Sequence, residues 1–228
     1  MYHVIISCEH AKNKIPKQYE PFFRDAGSLL SSHRGYDIGA LCLAKQLAAA
    51  LAAPLFITEV SRLLVDCNRS IHNPKIFSEC VKVVSKKEKS KIIDRYYRPY
   101  RDRVEGVIQD AVSIGKKVVH FSVHTFISKL GGMPRDFDIG ILYDPHRDSE
   151  ALFARCLLQV IRASSYEKDD IFANIRNSLN MSIGIEGCCA FANKPYKGTA
   201  DGFTTYLRKR FPQNYIGIEI EVNQNYFN

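Results

Sequence analysis

Short apolar runs, each too brief to be a helix, alternate along this chain with longer segments whose apolar residues recur at helical spacing. That alternation leaves few architectures open. Tyr2 to Ser7 is a β-branched run suited to a buried strand, and it stops at Cys8-Glu9-His10. Asp37 to Ala53 combines helical spacing with good helix formers, and Pro54 ends it before Leu55 to Val60 resumes a strand pattern. A second helix is expected over Lys87 to Ile114, kinked at Pro99 and closed by Gly115, ahead of a strand over Lys117 to Val123. Asp138 to Tyr143 reads as another strand and Ser149 to Ser164 as another amphipathic helix, with further strands over Met181 to Glu186 and Tyr215 to Val222. The order implies a three-layer α/β fold, a mixed, mostly parallel sheet with helices on both faces. The 228 residues, without repeat, low-complexity tract or linker, are expected to form a single domain over 1–228.

Composition removes several function classes. Hydrophobic residues at 46% and charged residues at 25% match globular averages, so disorder is a poor reading. The longest helical apolar stretch, Leu41 to Phe56, is interrupted by Lys45 and Gln46 and falls short of the roughly 20 residues a bilayer crossing needs. No membrane partner is expected. Met1 leads into a strand-like segment without the features of a secretory signal, so a cytoplasmic location is expected. Seven cysteines, none in a CxxC pair, read as buried thiols rather than as a disulfide framework or a thiolate zinc site. The net charge of +8 favours anionic partners. Much of that excess lies in the five lysines from Lys82 to Lys91, which read as a solvated helix end; with no recognisable nucleic-acid motif, no nucleic-acid partner is expected.

The chemistry-bearing residues lie where strands stop. His10 follows the first strand, His124 follows Val118 to Val123, and Glu219 lies between Ile218 and Ile220. Two imidazoles and a carboxylate can meet around one divalent metal and its water, with neutral imidazole suited to zinc and the carboxylate taking the water's proton. Glu221 shares a strand face with Glu219, and periodicity does not choose between them. His3, His72, His120 and His146 read as ordinary histidines. A second signal is Ser61-Arg62-Leu63-Leu64-Val65-Asp66-Cys67-Asn68-Arg69-Ser70. One guanidinium there can grip a carboxylate and another an oxyanion, against the plainer reading of an Asp66 to Arg69 ion pair.

Cys8-Glu9-His10-Ala11, the run His33 to Gly39, Ser61 to Arg69, Arg98-Pro99-Tyr100, Ser122 to Phe126, Asp138 to Tyr143 and Asn193 to Tyr196 together resemble the N-formylglutamate amidohydrolase family. The resemblance covers nearly the whole chain. It implies a phosphorylase/hydrolase-like fold similar to that of zinc carboxypeptidases, and hydrolysis of an N-formyl amino acid, typically N-formyl-L-glutamate, to formate and the free amino acid. It further implies a divalent metal, zinc by expectation, on His10 and His124, with Asn13 or Glu9 as a third contact. Asn13 stands where carboxypeptidases carry a glutamate ligand. Glu219 takes the position of the general base, Arg62 that of the oxyanion stabiliser, and Asn68 and Arg69 that of the grip on the substrate carboxylate. Arg135 is the candidate for a side-chain carboxylate, while His33, Asp37 and Glu221 receive no role. The partner implied is a small N-acyl amino acid. Two alternatives stay open: a related carboxypeptidase or N-acyl amino-acid deacylase, and an inactive carboxylate-binding protein on the same fold.

Overall fold

The structure, a computed structural model, describes residues 2–163, 171–184 and 188–227. Its main elements are, in chain order, β1 (Tyr2–Cys8), α1 (Gly27–Leu30), α2 (Ala40–Ala50), β2 (Leu55–Ile57), α3 (Lys86–Ile92), α4 (Arg98–Ser113), β3 (Lys117–Phe126), β4 (Lys129–Leu130), β5 (Met133–Pro134), β6 (Ile139–Leu142), α5 (Asp148–Arg162), α6 (Ile171–Ile183), β7 (Ala190–Ala192), α7 (Phe203–Arg210) and β8 (Tyr215–Asn223). Six strands form one sheet in the order β2-β1-β3-β8-β6-β7, and β4 and β5 make a small hairpin. Strands β2, β1, β3 and β8 run parallel, β6 is antiparallel to β8, and β7 runs with β6. This is the mixed, mostly parallel α/β sheet that the alternation implied. The chain leaves β1 for β2 on one side and then crosses to β3 on the other. The carboxyl ends of β1 and β3 are therefore a switch point, where open α/β sheets hold their ligands.

The two faces of the sheet differ in chemistry. Ile6 and Cys8, then Val119, Phe121 and Val123, then Ile218, Ile220 and Val222 pack into one core with buried residues of α2, α5 and α6. The alternate residues face the other way: the register aligns Ile5 with His120 and Gly217, Ser7 with Ser122 and Glu219, and His124 with Glu221. Ile5, Val118 and Tyr215 begin a second core with α4, α7 and the segment from Val60 to Val84. Toward the carboxyl ends that face turns polar while staying buried.

Three local expectations change. Met181 to Ile183 is the last turn of α6 and not a strand, because Ile175 and Leu179 bury one helical face and the Ser182 hydroxyl reaches the Ser178 carbonyl one turn back (2.8 Å). Residues 185 and 186 of that expected strand lie outside the described residues, as does Ser164 at the expected helix end. The long helix is divided by a π turn over Ile93–Tyr97, with Pro99 in the first turn of α4, where its missing N–H and its ring disrupt the preceding turn. Strand β3 runs three residues past Val123, which places His124 within the sheet. No helix among the described residues is long and apolar enough to cross a membrane.

Candidate active site

Three segments bring the polar groups together. Strand β1 delivers Glu9 and His10, and the Thr58 hydroxyl holds the Glu9 carbonyl (2.8 Å) where β2 ends. The turn before α2 then folds back, its Asp37 N–H donating to the His10 carbonyl (3.0 Å). Gly39 permits that turn with φ +84°, and a Cβ there would lie 2.1 Å from the Phe227 ring. Because α2 starts after Gly39 without a side-chain cap, the Asp37 carboxylate is free for other partners. The loop from Ser61 to Arg69 is anchored by buried Leu63, Leu64 and Val65 and by the Ser61 hydroxyl on the Gly35 carbonyl (2.8 Å). It lays Arg62 and Asp66 beside the two histidines.

The result is a buried cluster in which every imidazole nitrogen meets a carboxylate. His10 faces Asp37 Oδ2 through Nδ1 (3.1 Å) and Asp66 Oδ1 through Nε2 (2.9 Å). His124 faces the same Asp37 Oδ2 through Nδ1 (2.9 Å) and Glu9 Oε2 through Nε2 (3.3 Å). The rings lie 4.9 Å apart. Glu9 also accepts from the hydroxyls of Ser122 (2.6 Å) and Tyr100 (2.7 Å). Arg62 spans Asp37 (3.3 Å) and Asp66 (3.0 Å), and Arg69 adds a contact to Asp66 (3.3 Å). Ligand atoms from His10, Asp37 and His124 fall within 4.8 Å of one another, the spacing of a metal-ligand set.

Burial opposes charge throughout, and the charges outweigh it for the acids beside cations. Glu9, Asp37 and Asp66 lie well below the usual carboxylate range despite burial, through His124 for Glu9, His10 for Asp37 and Arg62 for Asp66. Burial lowers the His124 imidazole, but the hydrogen bonds it donates to Asp37 and Glu9 raise it well above its ordinary value. Glu221 is the exception: burial, with Asp37 and Glu219 adding, pushes it up to about 8, and its Oε2 is buried without a hydrogen-bond partner among the described residues.

The remaining candidates divide. Asn68 turns its side-chain oxygen to the Phe203 N–H (2.7 Å), and Arg69 stays partly exposed beside Asp66. Glu219 accepts a short hydrogen bond from Thr204 and lies next to Asn68 behind Gly202. Asn13 is exposed, its amide on the Leu30 carbonyl (3.1 Å); the acid that meets the two histidines is Asp37. Arg135 stacks on Tyr196 (5.3 Å to the ring centre), and its segment is tied to the end of β8 by the Asn223 amide on the Arg135 and Phe137 carbonyls. The exposed His33 is lowered by partial burial and by the charges of Arg62, Arg34 and Arg135, so cationic groups gather at one rim. Sequence reading gave Asp66 no contact with His10 and left Tyr100 and Ser122 without roles. The one available signal was their place inside the quoted motifs.

A family model for N-formylglutamate amidohydrolase matches residues 2–227. No curated protein sequence matches the chain. Among solved structures, the gene product Atu2144 from Agrobacterium tumefaciens is similar at 26% identity and a TM-score of 0.77, over 98% of this chain and 81% of that one. N-formylglutamate amidohydrolase from Ralstonia eutropha JMP134 shares the fold at 15% identity and a TM-score of 0.62, over 98% and 82% of the two chains. With the family match running from the first residues of β1 to beyond β8, the chain belongs to the N-formylglutamate amidohydrolase family and is an amidohydrolase.

Proposed function

We propose that the protein removes the formyl group from an N-formyl amino acid, N-formyl-L-glutamate by expectation, with water activated at a divalent cation held by His10 Nδ1, His124 Nδ1 and the Asp37 carboxylate. One observation carries this reading: four ring nitrogens face three buried carboxylates, and two of them, the Nδ1 atoms, converge on one Asp37 oxygen. That excess of acid is balanced by protons on the rings or by a cation at the paired Nδ1 atoms, and with the cation bound each ring donates from Nε2 and ligates from Nδ1. The orphaned Glu221 Oε2 fits the same excess of acid. Two imidazoles and one carboxylate are a donor set that zinc favours.

A bound divalent cation supplies a lowered water pKa, toward about 7, and a polarised carbonyl. The protein's own groups do the rest. Glu221, opposite His124 in the register and without a competing partner, takes the water's proton and delivers it to the departing amine nitrogen. Glu219 is held by Thr204 and lines the Asn68 side of the site. Arg62, with its side chain 25% exposed, stabilises the oxyanion. Asn68 and Arg69 hold the α-carboxylate, and Arg135 with Tyr196 meets a side-chain carboxylate. Water adds to the formyl carbon, the C–N bond breaks, and formate and the free amino acid leave. Seven free cysteines suit the cytoplasm as the site of action.

The test is metal content together with formate release from a panel of N-formyl and N-acetyl amino acids. Stoichiometric zinc and a preference for N-formyl dicarboxylic amino acids support the reading, and His124→Ala loses both metal and activity. Full activity and full metal content in His124→Ala overturn it, and a preference for peptides or longer acyl groups selects a carboxypeptidase or deacylase instead.

A further inference from the structure

Each histidine of the proposed cation site turns its far nitrogen to a different buried carboxylate. His10 Nε2 meets Asp66 Oδ1 at 2.9 Å, and His124 Nε2 meets Glu9 Oε2 at 3.3 Å and Ser122 Oγ at 2.9 Å. Resting on the reading above, we infer that Glu9 and Asp66 are positioning residues that lock the two imidazoles with the proton on Nε2, leaving Nδ1 as the cation donor and setting the site's affinity.

The direction of the hydrogen bonds carries the argument. Ionised carboxylates only accept, so a proton between carboxylate and ring belongs to the ring; Asp37 draws one to each Nδ1 in the same way until a cation takes that place, and the Nε2 contacts then decide the protonation of the loaded site. Ser122 Oγ lies 2.9 Å from His124 Nε2, but its hydroxyl proton is committed to Glu9 Oε2 at 2.6 Å. It therefore accepts from His124 Nε2, and both contacts of that nitrogen require Nε2–H. Held in this way, a ring keeps its orientation and gains basicity at the opposite nitrogen.

The two carboxylates are unequal. Glu9 is 1% exposed, and beyond the imidazole its side-chain partners are the hydroxyls of Ser122 and Tyr100. Its charge leans mainly on His124. Asp66 shares its charge with Arg62 and Arg69 and accepts the Asn68 N–H (3.0 Å), so less of it reaches His10. In Glu9→Gln the amide can turn an N–H toward His124, which favours a proton on Nδ1 where the cation binds. Asp66→Asn instead frees two arginines proposed to meet substrate.

The experiment compares full-length wild type, Glu9→Gln and Asp66→Asn. Zn2+ is titrated against a chromogenic chelator, ring protonation is read from long-range 1H–15N correlation spectra, and kcat and KM are measured. Zn2+ affinity is expected to fall about 10–100-fold in Glu9→Gln with KM unchanged. In Asp66→Asn it falls less, with a raised KM, and both rings of the zinc-loaded wild type carry Nε2–H. An affinity within twofold of wild type in each variant that folds, or a ring protonated on Nδ1 in the loaded wild type, overturns the inference alone. A wild type that binds no Zn2+ overturns the cation reading beneath it. The two acids act on different rings from different segments, so if one variant fails to fold by circular dichroism, the other still decides.

Discussion

The two β8 glutamates show what single residues reveal and hide. Glu219 and Glu221 are two apart, share a face and are both buried, so the strand period ranks them equally. Only their partners separate them: Thr204 binds Glu219, whereas Glu221 keeps an unpaired oxygen opposite His124. Glu221→Gln is therefore expected to lower kcat by about 10²–10⁴ while retaining bound metal, and Glu219→Gln to have a much smaller effect on kcat. Steady-state kinetics beside metal analysis checks this, and the reverse order would assign the proton transfer to Glu219. His10, His124, Arg62 and the Asn68-Arg69 pair were legible because polar residues that end apolar runs have no packing reason to be there. Asp37 lay in a quoted motif, yet a local reading as a helix cap fitted equally well. Its role depends on a turn that closes onto the His10 carbonyl, a contact 27 residues apart in the chain.

At the scale of elements, the central strands carry polar residues that sequence patterning assigns to solvent. All nine residues of β8 are buried, although alternation of isoleucine with glycine and glutamate reads as a strand with one wet face. The wet-looking face is the floor of the site, covered by α4, α7 and the arginine loop. His120, read as ordinary, links three strands there, with Ser7 of β1 at 2.7 Å and Tyr215 of β8 at 2.8 Å. Burial drives its pKa down to about 4, with Arg208 and His124 adding and Glu9 opposing. The unfolded chain takes up a proton below about 6.5 and the native protein does not. Stability from this group is thus complete above that pH and lost as pH falls toward 4, by roughly 3 kcal/mol. Urea unfolding at pH 7 and pH 4 is expected to show that loss in wild type beyond the loss in His120→Gln, with the His120 ring signal flat between pH 8 and 5. A ring midpoint near 6.5 would contradict it. The strand misread at Met181 failed for a related reason: Met-Ser-Ile lacks a local mark that separates a helix end from a short buried strand, and the packing of Ile175 and Leu179 decides it.

For the whole molecule, layer order and helix placement follow from alternation, because a βαβ connection constrains neighbouring strands to run parallel. The reversal of β6 and β7 against β8 had no local signature, since strand direction is set by which edge the chain returns to. Motifs spread from Cys8 to Tyr196 converge at the carboxyl end of the sheet, with an acidic floor of Glu9, Asp37, Asp66 and Glu221 beneath a rim of Arg62, Arg69 and Arg135. That separation of charge suits a cation below and a carboxylate substrate above, and the net charge of +8 favours the approach of an anion. The central claim is the cation between the two Nδ1 atoms. Anomalous diffraction at the zinc edge from crystals of the zinc-loaded protein tests it most directly. The account predicts one strong peak about 2.0–2.2 Å from His10 Nδ1, His124 Nδ1 and an Asp37 oxygen. Absence of density there, or a zinc ion held by other residues, would contradict it.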